Sequence, residues 1–492
     1  MNNLTGRKVL YTDHLPKSMI DVHNSEAPIL DEKSIPTVLH GLWLTQCQNI
    51  IEINYLNQYA VGRQDILDDV KVVRPDIDNK VIFNNALMIS KAIVGYTFGK
   101  PIRYVHRKEE VAPQVSVLND LTEMEEKFSN DLNLAFDSSI CGTAYRGVFA
   151  DVYGVEDEVA FSLVTLPPQD TFVVYSTHIG NPPVMACTRY AMDIVDGLPQ
   201  QYVFLVYTKD MVYKYVTDDY VFASVDTTEF KGSWKNALGI IPIIEYPNNK
   251  WRLGDWEIVK TLLDAINRTG SDCVNDLDGF VNSLLVGINV DLKDVTNEEL
   301  TSNKIISFPS LKDAPSDIKY ISQMADAESV ENLRNFLIDQ MRILVGLPSV
   351  DSGSNSGDTG DAVFLRDGFD RLESVARIKE TSFRRSERAT LKLILKILEI
   401  NGTDDINLKS SQIDIKFTRN LTDSILVKAN ALAILNNTKI FDPVDALELV
   451  GLTTEPDEKV KRGQAYYADH PEEVVTPNDT KNNPLNETKV DR

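Results

Sequence analysis

The side chains with the greatest chemical potential in this sequence are carboxylates. Asp272 and Asp276 stand four residues apart on one face of an expected helix, a spacing at which two carboxylates can share a divalent cation. Asp264 and Asp278 extend that face, together with Asn267, Ser271 and Asn275, so it is polar and leans acidic. No histidine or second carboxylate cluster accompanies it, which makes a solvated or channel-facing stripe a better reading than a nuclease centre. Asp76-Ile77-Asp78-Asn79 begins like a calcium loop, but its twelfth position is Leu87 where a bidentate glutamate is needed, and a solvated turn remains. The six histidines (His14, His23, His40, His106, His178 and His470) have no metal-ligand spacing. Phosphate-loop, zinc-protease, nucleophile-elbow and dinucleotide signatures are all missing. No catalytic, cofactor-binding or metal-ligating residue is assigned, and a non-enzymatic protein without cofactors is expected.

Two further charge patterns bear on phosphate. Arg377, Lys379, Arg384, Arg385, Arg388 and Lys392 concentrate basic charge in one long helical stretch, interleaved with Glu380 and Glu387. A salt-bridged helix face and a contact with phosphate or an acidic neighbour both stay open for it. The segment 349–361 is rich in Ser, Gly and Asp and could pass for a phosphate-cradling loop. It holds no Lys or Arg and carries Asp351, Asp358 and Asp361, so it should repel phosphate.

The elements that must position these groups are legible from hydrophobic period. Helices are expected at 35–55, capped by Ser34 with Pro36 in the first turn, at 80–97, closed by Gly95, Gly99 and Pro101, and at 123–139. An apolar alternation at 102–105 reads as a strand. From 142 to 244 the period becomes two, with strands at 172–175, 203–207 and 212–216 rich in β-branched and aromatic residues. A long helix is expected over 255–286, its pattern interrupted at Gly270. Residues 288–326 read as a small α/β insert, with strands at 288–292 and near Ile305 and Ile318, and Thr296 and Glu299 as a capping box. A shorter helix at 328–344 stops at Gly346 and Pro348, and a very long one runs over 362–400 with a greasy end from Leu391 to Leu398. A strand at 413–417 and short helices at 422–435, 443–450 and 455–468 follow, and the polar tail 471–492 is expected to be disordered.

Composition bounds the class. Of 492 residues, 43 % are hydrophobic and 25 % charged, which excludes collagen-like, wholly disordered and disulfide-scaffold proteins. The 50 Lys and Arg against 73 Asp and Glu leave a net charge of −23, which argues against an ordinary sequence-reading nucleic-acid binder. Cys47, Cys141, Cys187 and Cys273 are far apart and read as reduced thiols. The first ten residues lack an apolar signal core, and no apolar run approaches the ~18 residues of a membrane span, so a cytosolic chain is expected.

Three stretches carry a family likeness. The first is Gly95-Tyr-Thr-Phe-Gly-Lys-Pro-Ile-Arg-Tyr104, the second runs from Ile241-Pro-Ile-Ile-Glu-Tyr-Pro-Asn-Asn249 through Gly254-Asp255 to Asn275-Asp276, and the third is Gly357-Asp-Thr-Gly-Asp-Ala362 with Leu365-Arg-Asp-Gly368. In their order and spacing, over about residues 40–470, they resemble the portal proteins of tailed bacteriophages, in particular the siphophage portal family of Gram-positive hosts.

The resemblance implies an α+β, helix-rich, portal-type subunit with a β-rich wing, a helical stem, a small α/β clip, a long helix behind a tunnel loop, and a helical crown. The chain then divides into an N-terminal helical arm (1–55), wing (56–254), stem helix (255–287), clip (288–327), second stem helix (328–346), tunnel loop (347–361), long wing helix (362–402), wing strand (403–421), crown helices (422–470) and tail (471–492). It implies a homo-oligomeric, dodecameric ring in the virion at one capsid vertex, assembled in the host cytoplasm without a membrane. Implied partners are the terminase motor, head-completion or adaptor proteins, the major capsid and scaffolding proteins, and double-stranded DNA passing non-specifically during packaging and ejection. On this likeness Asp264, Asp272, Asp276 and Asp278 would line the channel. Asp351, Ser352, Gly353, Gly357, Asp358, Gly360 and Asp361 would form the tunnel loop, and Lys293, Lys304 and Lys312 would dock partners on the clip. A metal-dependent nuclease and a monomeric virion adaptor are the alternatives.

Overall fold

Alternating apolar side chains do build the expected sheet, and the first strand to join it comes from the N-terminus. In chain order the elements begin β1 (Leu10–Thr12), α1 (Lys17–His23), α2 (Ser34–Ala60), α3 (Asn85–Phe98), β2 (Arg103–His106), α4 (Ala112–Met124) and α5 (Lys127–Cys141). The β-rich stretch follows as β3 (Thr143–Ala150), β4 (Phe161–Leu166), β5 (Thr171–Ser176), β6 (Pro183–Ala191), β7 (Tyr202–Thr208), β8 (Met211–Thr217), β9 (Glu229–Lys235) and β10 (Ile243–Pro247). Then come α6 (Lys260–Val281), β11 (Leu284–Ile288), β12 (Asp317–Ile321), α7 (Ala327–Val345), α8 (Phe369–Asn401), β13 (Ile413–Lys416), α9 (Pro443–Val450) and α10 (Pro456–Asp469). The computed structural model describes residues 6–23, 26–71, 75–150, 159–192, 200–218, 228–281, 284–288, 317–321, 327–348, 369–401, 406–419, 432–433, 435, 442–450 and 456–469.

A six-stranded sheet has the order β1-β5-β6-β7-β8-β9, antiparallel except for β1, which lies parallel to β5 with Leu10 opposite Val174. Helix α2 covers one face of it, where Trp43 meets Phe172 and Phe204 edge-on. The other face packs through Val173 and Ala186 on a three-stranded sheet, β10-β3-β4. A third core joins the end of α2, α3, the start of α6, α7 and the start of α8 around Trp256, and a fourth buries Leu391 to Leu398 of α8 among α4, α5, β3 and the β2–β13 ribbon. The greasy end of the long helix is thus buried, since its apolar side chains gain by leaving water.

Several elements depart from their expected form. Residues 6–55 are no free arm. Arg7 is buried, pairs with Glu257 at 2.6 Å and Glu52 at 3.0 Å and donates to the Cys141 carbonyl, which pins the N-terminus under α2 and α5. Helix α3 starts at Asn85, not at 80, because Asn84 caps it and the preceding Val81-Ile82-Phe83 is extended chain. Helix α4 was not foreseen. Helix α6 ends at Val281 and Leu284–Ile288 is a strand, four residues ahead of the expected one, since its apolar run suits either state and pairing of Leu285 with Tyr320 decides it. The α6 helix runs unbroken through Gly270. The strand near Ile305, the tail, and most of 422–435 lie outside the described residues.

Candidate functional site

The start of α6 is built from a tight approach. Gly254 sits where a Cβ would come 2.6 Å from the Ile140 carbonyl oxygen, so only glycine lets the chain enter α6 beside the end of α5. Asp255 then accepts from Ser139 at 2.6 Å, Asn248 at 2.8 Å and Lys379 of α8 at 2.5 Å. The Gly-Asp pair noted in the sequence therefore ties three elements at the root of α6.

Beyond that root, the polar face of α6 divides in two. Asn267, Ser271 and Asn275 are all buried, and their side-chain oxygens accept the backbone N–H groups of Phe83, Val81 and Asn79 at 2.8, 2.8 and 2.7 Å. Four helical residues rise about 6.0 Å and two extended residues about 6.6 Å, so successive turns of the helix meet alternate amides of the strap 79–83. Asp278 accepts from the Asn79 side chain at 2.5 Å, and Asn267 also donates to Gln64. The Phe83 ring lies against Gly270, where a Cβ would come 2.4 Å from it, which explains a glycine in mid-helix. Asp264 is held by Lys260 at 2.9 Å and by the Tyr59 hydroxyl at 2.7 Å. Of the four aspartates, Asp272 and Asp276 stand exposed with no partner among the described residues, and Cys273 is exposed between them. The expectation of one continuous solvated stripe is corrected to this extent: half of it clasps the chain's own backbone. The missed signal was neutral Asn, Ser and Asn at steps of four, residues able to satisfy an amide without burying charge.

The basic helix α8 also divides. Glu387 is fully buried and receives Lys127 at 2.9 Å, Arg146 at 3.1 Å and the hydroxyls of Tyr104 at 2.7 Å and Tyr246 at 2.9 Å. Asp131 pairs with the same two cations, so two anions and two cations close on each other between α5, β3 and α8. Burial opposes ionisation of Glu387, but Lys127 and Arg146 outweigh it and hold the carboxyl well below the usual carboxylate range. Burial likewise opposes ionisation of Glu373, yet Arg419 and Arg377 bring it down to about 2. Lys379 is buried on Asp255, and Glu380 pairs with Arg419. Arg377, Arg385, Arg388 and Lys392 remain exposed. The first family-like stretch docks on this helix: Tyr96 donates to Glu373 at 3.0 Å, Phe98 packs on Phe383, and Tyr104 reaches Glu387.

Asp351, Ser352, Gly353, Gly357, Asp358, Gly360 and Asp361, together with Lys293, Lys304 and Lys312, lie outside the described residues. Asp78 of the calcium-like turn pairs with Lys80 at 2.8 Å. Among the described residues no group of His, Cys, Asp or Glu could hold a metal ion, and no helix is long and apolar enough to cross a membrane.

Comparison with known proteins bears on what this arrangement serves. A family model described as "Phage portal protein, SPP1 Gp6-like" matches residues 42–468. A curated relative named portal protein, from Bacillus phage SPP1, is 22 % identical over 406 residues, which are 80 % of this chain and 76 % of the relative. Among solved structures, the neck of an empty GTA particle computed with C6 symmetry is 13 % identical with a TM-score of 0.40, covering 75 % of this chain and 90 % of that one. The neck of a native GTA particle computed with C12 symmetry gives the same identity and TM-score, covering 75 % and 91 %.

Proposed function

Because the chain belongs to the phage portal protein family, we propose that copies of it close into a ring whose central channel passes double-stranded DNA through one capsid vertex during packaging and ejection. As a portal protein it is a structural component of the virion and not an enzyme. The observation that carries the reading is the family match over residues 42–468. The exposed apolar side chains of the stem give the ring a physical motive. Val274 and Leu277 of α6 are 38 % and 57 % exposed, and Leu333, Phe336 and Leu344 of α7 are at least half exposed, all uncovered within one chain. A head-to-tail contact between copies buries such faces and closes when the rotation per copy divides a full turn.

In this reading Asp272 and Asp276 face the channel, where carboxylates create no salt-dependent well for phosphate such as a Lys or Arg would. Segment 347–361 is the tunnel loop, and its Asp351, Asp358 and Asp361 add negative charge beside the duplex. The clip 288–327, rooted on the β11–β12 ladder, meets the terminase motor and later the head-completion proteins through Lys293, Lys304 and Lys312. A dodecamer assembled in the host cytoplasm against capsid and scaffolding proteins belongs to the same reading. Light scattering and particle images of the purified protein test it: a closed ring of many copies is expected, and a stable monomer at micromolar concentration with no ring overturns it.

A further inference from the structure

A chain of net charge −23 carries, among its described residues, a surface of opposite sign. On α8, Arg385, Arg388 and Lys392 are exposed at steps of three and four, so they share a face. The β2–β13 ribbon lies beside it, because Arg388 approaches Asp414 at 3.7 Å and Arg107 approaches the same carboxylate at 3.6 Å. Two residues along the ribbon, Lys416 stands directly opposite Arg103. Among the described residues Arg107 and Arg388 meet Asp414, Arg103 meets Glu123 at 3.2 Å, and Arg385, Lys392 and Lys416 bring the cations on these elements to six. Just past the ribbon, exposed Lys108 and Glu110 offset each other.

Such a grouping costs the free subunit energy, since like charges opposite each other on paired strands are destabilising and two guanidinium groups must share one carboxylate. What it suits is a polyanion. Four of the six cations are arginines, whose planar forks match phosphate oxygens. Between Thr381 and Glu399 the helix exposes no large apolar side chain, and neither does the ribbon, whereas a specific protein interface is centred on aromatic and apolar residues.

We propose that this face of α8 and the β2–β13 ribbon is a seat for the phosphate backbone of duplex DNA outside the channel. The identity of the polyanion rests on the portal reading; the seat itself does not need a ring. Asp414 acts there as a brake, neutralising two arginines that would otherwise hold the backbone more tightly, so contact stays weak and reversible.

The test uses a small, closed circular duplex, which cannot thread a closed ring and so reports the outer surface alone. The purified protein should bind it weakly and with steep salt dependence. Combining Arg385→Gln, Arg388→Gln and Lys392→Gln should lower the log–log salt slope by about 2.7, at roughly 0.9 per lost phosphate contact. Asp414→Asn should tighten binding several-fold, an effect in the opposite direction that damage to the fold would not produce. Equal affinity and slope in all three proteins overturns the proposal. So does binding of linear duplex without closed circles, which assigns all DNA contact to the channel, and so does loss of binding only to a polyglutamate probe. Because a monomer gives the same readout, failure of the ring reading and failure of this seat are separate results.

Discussion

Glu387→Gln is the perturbation with the largest effect the structure foretells. The carboxylate is fully buried, and two cations and two phenol hydroxyls converge on it. The amide oxygen can still accept from one of Tyr104 and Tyr246, which donate to different oxygens of the carboxylate, but the NH2 group cannot accept from the other, and Lys127 and Arg146 are left to share Asp131 alone. Breaking a buried ion pair by neutralising one partner costs about 3–5 kcal/mol, and because the near-isosteric amide keeps one hydroxyl bond and leaves no cavity, at least the lower figure is expected. Three kcal/mol is a sizeable part of the roughly 5–15 kcal/mol that holds a domain together. Hydrogen exchange of the amides in β3 and the second half of α8 is the assay, because unfolding of so long a chain need not be a single transition. Opening should become on the order of a hundredfold easier there, since ~1.4 kcal/mol is a factor of ten. The exposed Arg388→Gln should stay within about 0.5 kcal/mol of the parent. Because the folded carboxyl lies below its usual range, its contribution is fully present above that range and is lost as pH falls from there through the lowered folded value, so parent and Glu387→Gln should converge only in strong acid. Exchange rates in Glu387→Gln within threefold of the parent at neutral pH would refute the reasoning.

Two more predictions concern the helical scaffold. Asn267→Ala should strip protection from the Phe83 amide and weaken that of Val81, at a cost of about 1–3 kcal/mol for an orphaned buried donor, while the amides of α3 keep theirs; unchanged exchange at both positions would mean the strap is held by something else. Burial pushes the Asp137 carboxyl up to about 6, so its ionised form burdens the fold at neutral pH; Asp137→Asn should stabilise by about 2 kcal/mol above pH 6, and the gain should fade as pH falls toward the ordinary carboxylate value, as urea titration at several pH values can check.

The sheet was readable where alternation is local. Residues 172–175, 203–207 and 212–216 extended by only a residue or two on each side, because β-branched and aromatic residues in period two have few other options. Strand β1 was not readable, since three residues pairing in parallel with a strand more than 150 positions away leave no local pattern. Arg146 shows the same limit at one site. In an alternating strand an arginine reads as outward-facing, and its burial depends on anions that come from other elements, Asp131 of α5 and Glu387, 241 residues on. The exposed and buried cations of α8 look alike in sequence for the same reason. Lys379 and Lys392 differ only in what the fold brings opposite them, Asp255 in one case and water in the other.

The polar face of α6 carries that argument further. Periodicity says which side chains share a face and is silent on what faces them. Here chemistry refines it: an amide N–H in a dry groove is best met by a neutral acceptor, because a carboxylate would bring a charge that one amide cannot balance, and so Asn267, Ser271 and Asn275 take the inner positions while Asp272 and Asp276 stay in water. The strap they hold leads directly into α3, whose Tyr96 and Phe98 rest on Glu373 and Phe383 of α8. A turn of α6 about its axis would have to break three hydrogen bonds from backbone N–H groups or carry the strap, α3 and the long helix with it. The residues that make the polar face of α6 are therefore also the ones that couple it, through the strap and α3, to α8.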